Sequence, residues 1–237
     1  MSELLNGLND KQKEAAMYVD GPLLILAGAG SGKTRTLTYK IAYLLEEGIV
    51  KPWEILAITF TNKAAKEMKT RVESLIGENG NDIWLGTFHS VCVRILKREI
   101  NLIGYSTDFN IFDELDKEKV IKEVLKKLNI DDKVYPVSLI KYEISNAKDK
   151  MIDYVKYKND AIGDFRKEKI AEVYELYQKT LKQNNALDFD DIIMLTVKIF
   201  LENPDRLNYY QNKFKYILVD EYQDTNKVQF ILISLLS

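Results

Sequence analysis

Leu23-Leu24-Ile25-Leu26-Ala27-Gly28-Ala29-Gly30-Ser31-Gly32-Lys33-Thr34 is the stretch on which the fold turns. An apolar run gives way to glycines alternating with small residues, then to a lysine and a threonine. Leu37, Ile41, Leu44 and Leu45 follow at helical spacing. Strand, glycine loop and helix in that order make a P-loop. Glycines let backbone N–H groups turn inward around phosphate oxygens, and a helix N-terminus adds a favourable dipole. In such a loop Lys33 reaches the β and γ phosphates and Thr34 offers its hydroxyl to Mg²⁺. Ala27 stands where the strict pattern has glycine. The expected nucleotide set is therefore Ala27, Gly28, Ala29, Gly30, Ser31, Gly32, Lys33 and Thr34, with Arg35 close to the nucleotide.

Working outward, five short runs read as strands: Leu23 to Ala27, Ile55 to Phe60, Ile83 to Thr87, Phe109 to Phe112 and Tyr216 to Asp220. Four of them are apolar almost throughout, the pattern of a parallel sheet covered on both faces. Ala64, Met68, Val72, Leu75 and Ile76 place a helix after the second run, so strands and helices alternate. From about Ser90 to Gln211 the pattern turns helical, as in Val120, Ile121, Val124, Leu125 and Leu128, before a strand returns at Tyr216. The expected architecture is an α/β P-loop NTPase domain with a parallel sheet, interrupted by a mainly α-helical insertion. Its parts are residues 1–89, the insertion 90–211, and a return to the first domain over 212–237. Val228 to Ser237 reads as a helix without a C-terminal cap, which suggests a truncated chain.

The chain has 237 residues, 46% hydrophobic and 30% charged, enough apolar material for a substantial core. Its apolar runs fall short of the roughly 20 residues of a membrane span, and no signal peptide precedes them, so a cytoplasmic protein with no membrane partner is expected. One cysteine, Cys92, and one histidine, His89, exclude an intramolecular disulfide and a zinc site of Cys and His ligands. The net charge is -2. A nucleic-acid partner would therefore have to be held in a local groove with stacking aromatics, as single strands are, and not on a broadly basic face.

Nucleotide hydrolysis also needs a carboxylate for Mg²⁺ and a group that acts on water. Tyr216-Ile217-Leu218-Val219-Asp220-Glu221 ends an apolar strand on two acids. On a parallel sheet the C-terminal strand ends share one rim, which brings Asp220 to the glycine loop and Glu221 next to it. The plainer reading is that two acids end a strand and open a helix.

Taken together these residues resemble the superfamily 1 helicases of the UvrD, Rep and PcrA group, over essentially the whole chain. Leu8-Asn9-Asp10-Lys11-Gln12-Lys13-Glu14-Ala15 is similar to the family's Q motif, in which Gln12 would read the adenine edge. Ala57-Ile58-Thr59-Phe60-Thr61-Asn62-Lys63-Ala64-Ala65 resembles motif Ia and Gly86-Thr87-Phe88-His89-Ser90 motif Ib. The resemblance implies single-stranded DNA contacts from Thr59, Phe60, Thr61, Asn62, Thr87, Phe88 and His89, with Phe60 stacking a base and Thr87 meeting a phosphate. Without it, Phe60 and Phe88 read as core residues. Lys33, Asp220, Glu221 and Gln223 become the catalytic set, with Thr34 and Asp220 on the metal and Gln223 as γ-phosphate sensor.

The implied fold is a RecA-like domain (1A) with a helical insertion (1B), and the implied activity is ATP- and Mg²⁺-dependent 3′ to 5′ translocation and duplex separation. The implied partners are single-stranded DNA, single/double-strand junctions and a second RecA-like domain of the same protein that supplies arginines. Residues 1–237 alone should then turn over ATP very slowly. Asp188-Phe189-Asp190-Asp191 also resembles a family segment, but its residues equally read as an N-cap and first helical turn. The same motifs fit three rivals: an ATPase or phosphotransferase without DNA, a partner-docking module built around the insertion, and a helicase subunit of a nuclease complex.

Overall fold

The computed structural model describes residues 3–28, 30–80 and 82–237. They form two compact units: residues 1–91 with 207–224 and 236–237, and residues 92–206 with 225–235. The expected boundaries were 89/90 and 211/212; the compact units divide at 91/92 and 206/207, and 225–235 group with the second unit.

In chain order the helices and strands are α1 (Asp10–Met17), α2 (Lys33–Glu46), β1 (Ile55–Thr59), α3 (Asn62–Ile76), β2 (Trp84–Thr87) and α4 (Phe88–Glu99). There follow β3 (Asn110–Ile111), α5 (Glu114–Lys127), α6 (Val137–Asp149), α7 (Tyr154–Asp160), α8 (Phe165–Gln183) and β4 (Ala186–Leu187). The last are α9 (Phe189–Glu202), α10 (Pro204–Lys213), β5 (Tyr216–Val219) and α11 (Lys227–Leu236).

The first unit is a three-stranded parallel sheet in the order β2-β1-β5. β1 is buried at every residue because it has a strand on each side, which is why Ile55-Leu56-Ala57-Ile58 is apolar without alternation. Register sets Thr59 beside Thr87 and Ile58 beside Val219, so all three strands end on one rim. Ile41 of α2 and Met68 and Val72 of α3 pack with Ile55, Ala57 and Leu218 of the sheet. The short first helix α1 docks through Ala16, with Leu5 and Leu8 before it, against Tyr39 and Tyr43 of α2.

One expected strand is absent. Leu23 to Ala27 makes no ladder, and Leu24 and Leu26 are 64% and 85% exposed. The segment's surroundings are tied to β5, since Tyr216 donates to the Val19 carbonyl at 2.9 Å and Thr34 to Asp220 at 2.8 Å. Between those ties no backbone partner among the described residues meets it. Apolar character makes a segment suitable for a buried strand, but without donors and acceptors alongside there is no strand.

The second unit is helical. Val120, Ile121 and Val124 of α5, Ile140 and Ile144 of α6 and Tyr174 of α8 are among its core residues. The expected strand at Phe109 to Phe112 shrinks to Asn110–Ile111, paired in parallel with Ala186–Leu187. No helix among the described residues is long and apolar enough to cross a membrane.

Cys92 is fully buried in this unit, and burial pushes its thiol up to about 12. The thiolate is the reactive form. A thiol reagent at pH 8 should therefore leave Cys92 unmodified in the folded chain and label it stoichiometrically in denaturant. Fast labelling of the native chain would contradict this packing.

Candidate nucleotide and nucleic-acid site

The glycine loop closes on itself through its own functional side chains. Gly30 and Gly32 take φ of 75° and 86°, a region closed to most residues with a Cβ. Gly32 is the N-cap of α2, and a Cβ there would stand 2.9 Å from the Gln12 side-chain nitrogen. Ser31 Oγ donates to the Gly28 carbonyl at 2.7 Å. Lys33 Nζ donates to the Ala27 and Gly28 carbonyls at 3.0 and 3.2 Å, so the ammonium lies within its own loop, at the N-terminus of α2. Ala29, named in the nucleotide set, lies outside the described residues.

At the end of β5, the Asp220 amide donates to the Ile58 carbonyl at 2.9 Å, which continues the sheet by one rung and fixes the acid on the rim. Its carboxylate is 7% exposed, and Oδ2 accepts from Thr34 Oγ1 at 2.8 Å. A hydroxyl and a carboxylate 186 positions apart in sequence thus meet at one point. Glu221 adopts φ 51°, left-handed backbone that costs a non-glycine residue about 1–3 kcal/mol. That turn points the chain from the strand into the short 3-10 segment Tyr222–Asp224, where Gln223 Nε2 donates to Glu221 at 2.5 Å. Three of the four expected catalytic side chains, Asp220, Glu221 and Gln223, therefore stand on one turn, and Thr34 links it to the loop that carries Lys33. No group of three or more His, Cys, Asp or Glu among the described residues is arranged to hold a metal alone. The Thr34–Asp220 pair offers two hard oxygen donors, the kind Mg²⁺ accepts while keeping water and phosphate oxygens as its other ligands.

Gln12 is the third residue of α1 and closes a reciprocal capping box with Asn9. Its remaining amide hydrogens face the loop, and Nε2 donates to the Ser31 carbonyl at 2.9 Å. Arg35 is the third residue of α2. Its guanidinium donates to the Gly7 carbonyl at 2.8 Å and lies over the Tyr39 ring. It ties α2 to the segment before α1.

The expected DNA residues gather on the rim at the ends of β1 and β2 but divide by exposure. Thr61 and Asn62 are exposed, Phe60 and His89 partly so. Thr61 Oγ1 caps α3 by accepting from the Ala64 amide, and Thr87 Oγ1 accepts from the Ser90 amide. Thr87 is 8% exposed. For Thr59 and Phe88 the packing corrects the expectation: at 0% and 2% exposure neither side chain reaches a strand laid on the surface. Phe88 instead packs edge-on against Phe60, ring centroids 5.5 Å apart, and supports it from below. A Cβ at Gly86 would stand 2.3 Å from Ser90 Oγ, so a larger residue there would push the Ser90 hydroxyl aside.

A charged cluster in the second unit was not legible as such. Asp188 and Asp191 form the capping box of α9, the plainer of the two readings. Both are 1% exposed, however, and both pair with Lys148 of α6, at 2.8 and 2.9 Å. Lys117 of α5 bonds Asp190 at 2.7 Å and stands 3.4 Å from Asp188, while Tyr177 donates to Asp188 at 2.8 Å. The signal available was a lysine on each core stripe, Lys117 ahead of Val120, Ile121 and Val124, and Lys148 four residues after Ile144.

The chain is similar to known proteins over its whole length. The family model of the UvrD/REP helicase N-terminal domain matches residues 8–237. The ATP-dependent DNA helicase PcrA of Staphylococcus epidermidis is 53% identical over 237 residues, which is 100% of this chain and 32% of that protein. PcrA of Bacillus subtilis strain 168 is 52% identical over 236 residues, and PcrA of Staphylococcus aureus strain Mu50 is 52% identical over 237, with the same coverage. The chain thus spans about a third of the length of these curated relatives. With that model matched over residues 8–237, the chain belongs to the UvrD/REP helicase N-terminal domain family.

Proposed function

We propose that this chain binds ATP with Mg²⁺ between the 27–34 loop and Asp220, and holds single-stranded DNA along the strand-end rim. In a protein of its relatives' length it would drive 3′ to 5′ translocation and open duplex at single/double-strand junctions, with a second RecA-like domain completing the catalytic site. The observation that carries this reading is the 2.8 Å bond from Thr34 to Asp220, which joins the metal-binding hydroxyl and carboxylate of a phosphoryl-transfer site. Bound Mg²⁺ would neutralise charge that develops on the phosphates. Lys33 would hold the β and γ phosphates, Glu221 would orient and deprotonate the attacking water, and Gln223, hydrogen-bonded to Glu221, would sense the γ phosphate. Phe60, backed by Phe88, would stack a base, with Thr61, Asn62, Thr87 and His89 toward the backbone.

Two binding measurements on the chain test this. A fluorescent ATP analogue should bind in a Mg²⁺-dependent way, and a labelled oligothymidylate should raise its anisotropy. Phe60→Ala should weaken the oligonucleotide by about 1–3 kcal/mol, the worth of one stacked base, and leave the nucleotide untouched. A chain that binds no nucleotide sinks the ATP assignment, and a Phe60→Ala variant with wild-type DNA affinity returns Phe60 to the core.

A further inference from the structure

Lys40 lies on α2, is 7% exposed, and is paired with no carboxylate among the described residues. Its Nζ donates instead to the carbonyls of Ala15, at 3.3 Å, and Tyr18. Burial pulls its pKa below the ordinary lysine value. A buried ammonium is costly, and an apolar side chain would fill the same space at less cost. Its contacts suggest a reason for a cation here: Ala15 and Tyr18 lie at the C-terminal end of α1, where unpaired carbonyls and the negative end of the helix dipole gather.

The other end of α1 carries Gln12, whose side chain is already fixed by the Asn9 box and the Ser31 carbonyl. At eight residues, α1 is about 12 Å long, about two turns. It is tethered to α2 on both sides, by Arg35 to Gly7 before it and by Lys40 after it. Any rocking of α1 would move the Gln12 amide against a base held by the phosphate loop at the start of the same α2.

We propose that Lys40 is a positioning residue for nucleotide-base selection: by gripping the C-terminal carbonyls of α1 it holds Gln12 in register with the base of the bound nucleotide. This rests on the reading that Gln12 meets adenine. An adenine edge offers one donor and one acceptor to a side-chain amide, and guanine does not match that pattern. Selectivity therefore depends on where the amide sits, whereas the triphosphate is held by the loop backbone and Lys33, which α1 meets through the Gln12 bond to the Ser31 carbonyl.

The test uses fluorescent ATP and GTP analogues and inorganic tripolyphosphate as competitor, with the whole chain and Mg²⁺. Lys40→Met should lower the ATP over GTP preference by about tenfold, the loss expected from one charge-assisted hydrogen-bond site. Tripolyphosphate affinity should not change, and Lys40→Arg should restore the preference. General loosening of the fold would instead weaken all three ligands together, and that result would overturn the proposal. So would an unchanged ATP over GTP ratio in Lys40→Met. Should that variant not fold, Lys40→Gln, which keeps a donor but no charge, replaces it with the same expected direction. Gln12→Ala separates the two readings. If it leaves base preference intact, Gln12 does not read the base and both fall; if it abolishes preference while Lys40→Met does not, only the role of Lys40 falls.

Discussion

Lys33→Ala is expected to weaken binding of a fluorescent ATP analogue by at least about a hundredfold, since it removes two charge-assisted hydrogen bonds to phosphate. In the structure the ammonium is satisfied by the Ala27 and Gly28 carbonyls. Exchanging two neutral carbonyls for anionic phosphate oxygens strengthens both bonds, so the swap is downhill and contributes directly to affinity. The substitution frees the Ala27 carbonyl, which can turn to water at little cost, while the Gly28 carbonyl keeps the Ser31 amide and hydroxyl. Thermal unfolding should therefore stay near that of the wild type while affinity collapses. ATP hydrolysis by a protein of the relatives' length should be lost with it. Retained nucleotide affinity in a folded Lys33→Ala variant would reject the phosphate-loop assignment.

How far such expectations could be drawn from residues alone differs from element to element. β1, β2 and β5 were legible because their burial needs only neighbours already in the chain, and the parallel order then follows from the helices between them. Leu23 to Ala27 has the same apolar signature but no strand beside it, and composition does not record which edge is filled. At the site, loop glycines and the acid pair were legible because the chemistry demands those residue types. Exposure was not, so Phe60 and Phe88 read alike although one is partly exposed and the other supports it. Arg35 and Lys40 show a further limit. Both are cations on a helix that opens with the phosphate loop, yet both are spent on backbone carbonyls around α1, a partnership that only the folded chain creates.

Lys148→Met is expected to destabilise the second unit by about 3–5 kcal/mol, the usual cost of leaving a buried charge without its partner. Burial works against every ion in the cluster. For Asp188 the charges of Lys148 and Lys117 outweigh it and hold the carboxyl below its ordinary value. For Asp191 burial, reinforced by the negative Asp188 beside it, prevails and pushes the group up to about 6. The two act in opposite directions on stability. What Asp188 contributes is complete above its unfolded value of about 3.9 and drains away in acid below it. What Asp191 contributes is present below about 3.9 and is lost as pH rises through about 6. Without Lys148, Asp191 keeps the burial and the Asp188 repulsion but loses its cation, so its pKa climbs further. Each added unit costs about 1.4 kcal/mol once the pH exceeds the new value. The deficit of Lys148→Met, read from urea denaturation followed by circular dichroism, should therefore be larger at pH 8 than at pH 5. Adding Asp191→Asn should recover part of the loss and flatten that dependence, because the amide mimics the protonated acid without a charge to bury. A deficit that does not change with pH, or an additive double variant, would mean that Lys148 and Asp191 are neighbours without being coupled.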